Sequence, residues 1–186
     1  MKGPGGSGRL ITLAMATEIA APRETVWGAI SDPDQECHWR PGVSRRLGDR
    51  AASRQRLRHR YRIDLHAVPI VLEEARIATV ALERQRSEVR LGLFRFEETF
   101  SLTATGPQRT RLGLKVTAPN RMPVVGGSLD RFDVRRFAAD LASVSLQAVR
   151  DWCERGEVRE RPLPALPGLA EAAGASVPVP PGTSGR

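Results

Sequence analysis

Phe137-Ala138-Ala139-Asp140-Leu141-Ala142-Ser143-Val144-Ser145-Leu146-Gln147-Ala148-Val149-Arg150-Asp151-Trp152 is the stretch on which the fold turns. Phe137, Leu141, Val144, Ala148 and Trp152 recur at spacings of four, three, four and four, which is the period of one helical face. Ser128, after Gly126-Gly127, is a suitable N-cap and Gly156 a stop, so the spacing predicts one helix over Leu129–Glu154. A long helix with a single apolar stripe needs an apolar surface to lie on.

Upstream, the sequence from Val43 to Thr117 supplies that surface. It reads with period two in the runs Val43–Leu47, Arg54–Val68, Ile70–Leu82, Ser87–Leu93, Phe94–Ala104 and Thr110–Thr117, and Gly106-Pro107 is the clearest hairpin turn. Such a succession predicts an antiparallel sheet. Ahead of it, Leu10–Ala20 reads as a first strand and Pro22–Ser31 as a short helix with Val26, Trp27 and Ile30 on its apolar face. Asp32-Pro33 stops that helix, and a second short one is expected at Asp34–Trp39 before Pro41-Gly42. The expected fold class is therefore α+β: a curved antiparallel sheet wrapped around a long C-terminal helix, with two short helices closing a cavity.

Composition bounds the function. The chain has 186 residues, with 29 Lys+Arg against 21 Asp+Glu and a net charge of +8. Nine arginines against Asp49 alone lie between Arg40 and Arg62, so that window carries the whole excess. At 40% hydrophobic and 27% charged, the chain as a whole is neither disordered nor fibrous. Cys37 and Cys153 are far apart, without a C-x-x-C pair, and read as reduced cytoplasmic thiols. His38 and His66 have no metal-ligand spacing to other donors, and neither metal nor cofactor is expected. No run reaches the roughly 18 apolar residues of a membrane span. Thr12, Thr17 and Glu18 interrupt Leu10–Ala16 and make it a strand rather than a signal segment.

Residues 1–8 read as a flexible leader and 9–155 as one domain. Residues 156–186 hold six of the 14 prolines and no aromatic residue, and read as a disordered tail. Pro164-Ala165-Leu166-Pro167 has the P-x-x-P form, which arises readily by chance in such a tail.

The run Ile19-Ala20-Ala21-Pro22-Arg23-Glu24-Thr25-Val26-Trp27, then Ser31-Asp32-Pro33 and Trp39-Arg40-Pro41-Gly42-Val43, resembles the opening of the SRPBCC or START-like superfamily. Phe94-Arg95-Phe96-Glu97-Glu98-Thr99-Phe100-Ser101-Leu102, Thr110-Arg111-Leu112 and the terminal helix look like its polyketide cyclase/dehydrase branch. The resemblance implies a helix-grip fold with a seven-stranded sheet and a cavity for apolar or aromatic small molecules. It implies no single activity, because the superfamily includes aromatase/cyclases, lipid and hormone carriers, and chaperone co-activators.

Strand alternation nominates the residues that line the cavity. Leu57, His59, Tyr61, Ile63 and Leu65 share one face of their strand, opposite Arg54, Arg56, Arg58, Arg60 and Arg62. Phe94, Phe96, Glu98, Phe100 and Leu102 share a face in the same way, and the alternation Val71, Glu73, Ala75, Ile77 points Glu73 inward. An inward carboxylate is costly unless paired or protonated. His59, Tyr61 and Glu98 are thus the catalytic candidates: a base, a hydrogen-bond donor to a developing enolate, and a proton-sharing carboxyl group for aldol cyclisation or dehydration. Trp39, Leu57, Ile63, Glu73, Ile77, Phe94, Phe96, Phe100, Phe137 and Leu141 are expected to contact the ligand. A carrier or sensor for a lipid would use the same wall without chemistry, and His59 and Tyr61 could instead serve structure alone.

The arginine face forms a basic ladder. Outward Glu74, Glu88 and Glu97 would neutralise parts of it. Otherwise Arg54, Arg56, Arg58, Arg60 and Arg62 form a docking surface for an acidic partner. An acyl carrier protein or an anionic membrane surface would fit the family. Nucleic acid is disfavoured, because no exposed aromatic residues interleave with the charges.

Overall fold

The computed structural model describes residues 10–53, 56–65, 68–92, 94–119, 133–158 and 163. Strand β1 (Leu10–Ile19) leads into helices α1 (Arg23–Ser31) and α2 (Pro33–Trp39). Six strands follow: β2 (Val43–Ser53), β3 (Arg56–Leu65), β4 (Val68–Val80), β5 (Arg84–Leu91), β6 (Phe94–Gly106) and β7 (Arg109–Pro119), and then helix α3 (Val134–Arg155). The strands form one seven-stranded sheet in the order β1-β7-β6-β5-β4-β3-β2, with every neighbour antiparallel.

Meander order from β2 to β7 follows from short hairpins, and β1 closes against β7 over a ten-residue register from Leu10↔Pro119 to Ile19↔Thr110. Helix α3 lies across β1 and β7. Its buried residues Phe137, Leu141, Leu146 and Val149 meet Ile19, Leu112 and Leu114 in the core. The helix begins at Val134, later than the Leu129 start that a Ser128 cap would give. Asp133 caps it, accepting from the backbone N–H groups of Arg135 and Arg136, both at 3.0 Å, and Ser128 lies outside the described residues. Gly156 ends it in the left-handed conformation, at φ 72°. Trp152 ties the helix to α2 by donating to Gln35 at 3.0 Å and stacking on His38 with centroids 4.9 Å apart. None of the described helices is long and apolar enough to cross a membrane.

Two elements differ from the period-two expectation. Strand β2 continues past Leu47 to Ser53, because three register shifts against β3 break the alternation that would reveal it. In β4, Arg76 pairs with Ser87 and Ala78 with Arg86, so Ile77 is the extra residue of a bulge. Beyond α3, Val158 packs against the core. Leu163 is buried at 8% exposure, within the segment whose composition reads as disordered.

Candidate functional site

Helix α2 brings the first polar groups into the interior. Asp32 caps it, accepting from the Asp34 N–H at 2.9 Å, and Pro33 occupies the first turn. This seven-residue helix buries Glu36 and Trp39. The Trp39 indole donates to the Ala29 carbonyl at 2.7 Å and meets the Phe100 ring edge-on at 6.0 Å. Arg40, the C-cap, extends under the sheet.

Around Arg40 the sheet gathers carboxyl groups. Its Nη1 donates to Glu98 Oε2 and its Nη2 to Glu74 Oε2, both at 3.2 Å, while Nε lies 3.5 Å from Glu36 Oε2. Tyr61 donates its hydroxyl to Glu36 at 3.0 Å, and half-buried Arg76 reaches the other Glu36 oxygen at 3.4 Å. Glu36, Glu74 and Glu98 are each 1% exposed, Tyr61 is 0% and Arg40 7%. Cross-strand pairing explains the convergence. His59 faces Glu74, Glu74 faces Val89, and Ser87 faces Glu98, so four strands deliver inward side chains to one patch.

Three carboxyl groups share two guanidinium groups. Burial, then the adjacent Glu74 charge, raises the Glu36 carboxyl well above its ordinary 4.5, so Glu36 holds its proton to a higher pH than an ordinary carboxyl group does. Glu74 goes the other way: burial pushes it up, but the Arg40 charge and the Glu36 hydrogen bond outweigh burial and hold it ionised. Glu98 is raised, by burial foremost and partly offset by Arg40. Burial opposes the Arg40 charge, yet Glu98, Glu74 and Glu36 together hold the guanidinium more firmly protonated than usual.

Of the sequence candidates, Tyr61 and Glu98 enter this cluster, along with the apolar wall of Trp39, Ile63, Phe94, Phe96, Phe100, Phe137 and Leu141, all buried. Phe94 makes an edge contact with Phe137 at 5.2 Å. His59 is buried too, but it stands in a separate chain of contacts. Its Nδ1 is 2.9 Å from Asp49, and Arg46 bridges Asp49 at 2.8 Å and Asp34 at 2.6 Å.

Glu73 and Glu74 exchange their expected faces. Tyr61 pairs with Leu72 and His59 with Glu74, so Leu72 and Glu74 point inward, Val71 is 37% exposed and Glu73 faces outward. There Glu73 lies 4.0 Å from Arg58 and 3.8 Å from Arg60. Half-buried Ile77 sits in the bulge rather than in the core wall. Arg58 also donates to Glu88 at 3.1 Å, so cross-strand ion pairs do neutralise part of the outer ladder, whereas Glu97 accepts from Arg86 of β5 at 2.6 Å instead. Arg54 lies outside the described residues, as do the side chains of Arg56 and Leu57.

Glu36, Arg40 and Glu74 are the residues that sequence reasoning missed. Their signal was faint: Glu36 and Arg40 stand one helical turn apart on α2, and a one-residue shift of β4 register would have found Glu74.

A long C-terminal helix gripped by a curved seven-stranded antiparallel sheet, with a polar cluster walled in by aromatic side chains, defines a START-like helix-grip protein. Residues 11–154 match the model of the family described as polyketide cyclase / dehydrase and lipid transport. The chain belongs to that family. Among solved structures it is similar to the Zhui aromatase/cyclase of Streptomyces sp. R1128, at 13% identity and TM-score 0.62, covering 79% of this chain and 95% of that one. It is also similar to a START superfamily protein of Mycobacterium smegmatis, at 20% identity and TM-score 0.53, covering 74% and 90%. Curated proteins offer no match.

Proposed function

We propose that the protein binds an apolar or aromatic small molecule inside the grip and catalyses its cyclisation or dehydration by proton transfer within the cluster around Arg40. One observation carries this reading: Glu36, Glu74 and Glu98 stand around a single buried cation with Tyr61 hydrogen-bonded among them, beside the rings of Trp39 and Phe100. Buried ion pairs rarely stabilise a protein more than apolar residues of equal volume, so such a cluster suggests chemistry rather than packing. Two carboxyl groups whose environments push them in opposite directions form an acid and base pair. Glu74, ionised, is the base that removes an acidic α-proton from a ketone. Glu36, the carboxyl group that holds its proton more tightly, returns a proton to the alkoxide formed when the enolate attacks a second carbonyl carbon, and loss of water completes the dehydration. Arg40 holds the two states apart. His59, oriented by Asp49, is a second base at the margin of the cluster.

Native mass spectrometry of protein isolated from its own host tests binding. A retained small molecule supports the reading, and a protein that neither retains one nor takes up aromatic ketones overturns it. The apolar wall of Phe94, Phe96, Phe100 and Phe137 favours a carrier as the second reading. Turnover of the retained compound by the wild type, lost in Glu36→Gln and Glu74→Gln, selects the enzyme. Binding without turnover selects the carrier.

A further inference from the structure

Resting on the reading of the grip as a ligand site, we infer that its ligand is uncharged and presents a hydroxyl hydrogen, from a phenol, enol or alcohol, to Gln85 and Glu98. Gln85 is 1% exposed on the inner face of β5. Its Nε2 donates to the Ile30 carbonyl at 2.9 Å, which fixes the orientation of the amide. Its Oε1 is buried and has no hydrogen-bond partner. A buried amide oxygen without a donor is rare in a folded protein and marks a place where a donor belongs.

Glu98 supplies the second acceptor. Gln85 pairs with Phe100 and Ser87 with Glu98, so Gln85 and Glu98 are diagonal neighbours on one face, close enough for a single hydroxyl to lie between them. Most donors nearby are engaged elsewhere: Tyr61 and Arg76 on Glu36, Arg40 on Glu74 and Glu98, and the Gln85 amide nitrogen on Ile30, while the buried Ser87 hydroxyl opposite Glu98 and the Nε groups of Arg40 and Arg76 have no hydrogen-bond partner. Trp39 and Phe100, crossed edge to face, supply an aromatic wall beside the two acceptors. The site therefore offers the Gln85 and Glu98 oxygens, the Ser87 hydroxyl, which can donate or accept, and ring surface. An ionised acid would bring a further negative charge against Glu74 and Glu98, whose one fully buried cation is already shared.

Titration of 2-naphthol, naphthalene and 2-naphthoate, followed by quenching of tryptophan fluorescence at neutral pH, tests this. The naphthol is expected to bind about tenfold more tightly than naphthalene, and the naphthoate about tenfold more weakly than the naphthol, each a single hydrogen bond or charge contact in size. Gln85→Met is expected to reduce the preference for naphthol over naphthalene to about threefold or less and to leave naphthalene affinity in place. Naphthoate binding as tightly as naphthol, or an unchanged preference in Gln85→Met, overturns the inference alone. Failure of all three compounds to bind overturns the ligand-site reading and this inference with it. The wild-type order of affinities decides the matter even if the variant does not fold.

Discussion

The Tyr61 hydroxyl on β3 donates to Glu36 on α2 at 3.0 Å, with both side chains sealed from solvent, so one hydrogen bond pins the short helix to the sheet. Tyr61→Phe keeps the ring and removes the donor. Because Glu36 is left with a poorly satisfied buried oxygen, the expected loss of stability is about 1–3 kcal/mol. Urea denaturation measures it, and a loss below about 0.3 kcal/mol would mean that the hydroxyl is not needed by its partner.

Arg40 is the one fully buried cation among the described residues of the cluster, and its removal is expected to be far more damaging. Arg40→Met leaves Glu74 and Glu98 buried without a counter-charge, at an expected cost of about 3–5 kcal/mol. Arg40→Lys should recover little of this, because a single ammonium cannot span carboxylates that the guanidinium reaches through Nη1 and Nη2. Replacing Glu74 and Glu98 by leucine in the Arg40→Met background should restore stability toward the wild type. A triple variant no more stable than Arg40→Met would refute the charge argument and point to lost packing.

The raised carboxyl of Glu36 gives stability a definite pH dependence. Its ordinary value is 4.5, and the folded state holds the proton to a higher pH than the unfolded chain does. The folded state therefore binds more protons above 4.5, and this group's contribution is fully present below that value and declines as pH rises toward the folded one. Glu98 acts in the same sense, whereas the contribution of Glu74 is lost as pH falls. Glu36→Gln removes the largest part of the decline. Thermal melts between about pH 5 and about pH 8 should show the variant gaining on the wild type as pH increases. Parallel curves would show that Glu36 ionises normally.

Much of this architecture was legible in the sequence, because α3 and β6 each present one regular apolar face. The Phe94, Phe96, Glu98 and Phe100 alternation placed Glu98 inside correctly, since no bulge interrupts β6 between Phe94 and Ala104. Strand β4 defeated the same method. Val71 and Ile77 are apolar enough to suggest a face, yet pairing with β3 turns Leu72 and Glu74 inward instead. Glu36 and Arg40 could not be recognised from periodicity, because α2 is only seven residues long and buries one carboxyl group beside one indole. Register between strands and the approach of a short helix are tertiary properties, and a single strand's alternation carries little of either.

Gly42 and Leu163 form the contact that tests whether the C-terminal segment belongs to the domain. Gly42 has φ +71°, and a Cβ there would lie 2.9 Å from Leu163 Cγ and 3.2 Å from Ile63 Cγ2. Gly42→Ala therefore combines left-handed backbone strain with a steric conflict, and about 1–3 kcal/mol of destabilisation is expected. Leu163→Ala removes part of the conflict and leaves the strain. The double variant should be less destabilised than the sum of the single ones, with a coupling energy of about 0.5 kcal/mol or more. Chemical denaturation of the four proteins in the cycle measures it. Strict additivity would mean that Leu163 does not cover Gly42 in solution, whereas the expected coupling makes Leu163 part of the wall that closes over Gly42 and Ile63.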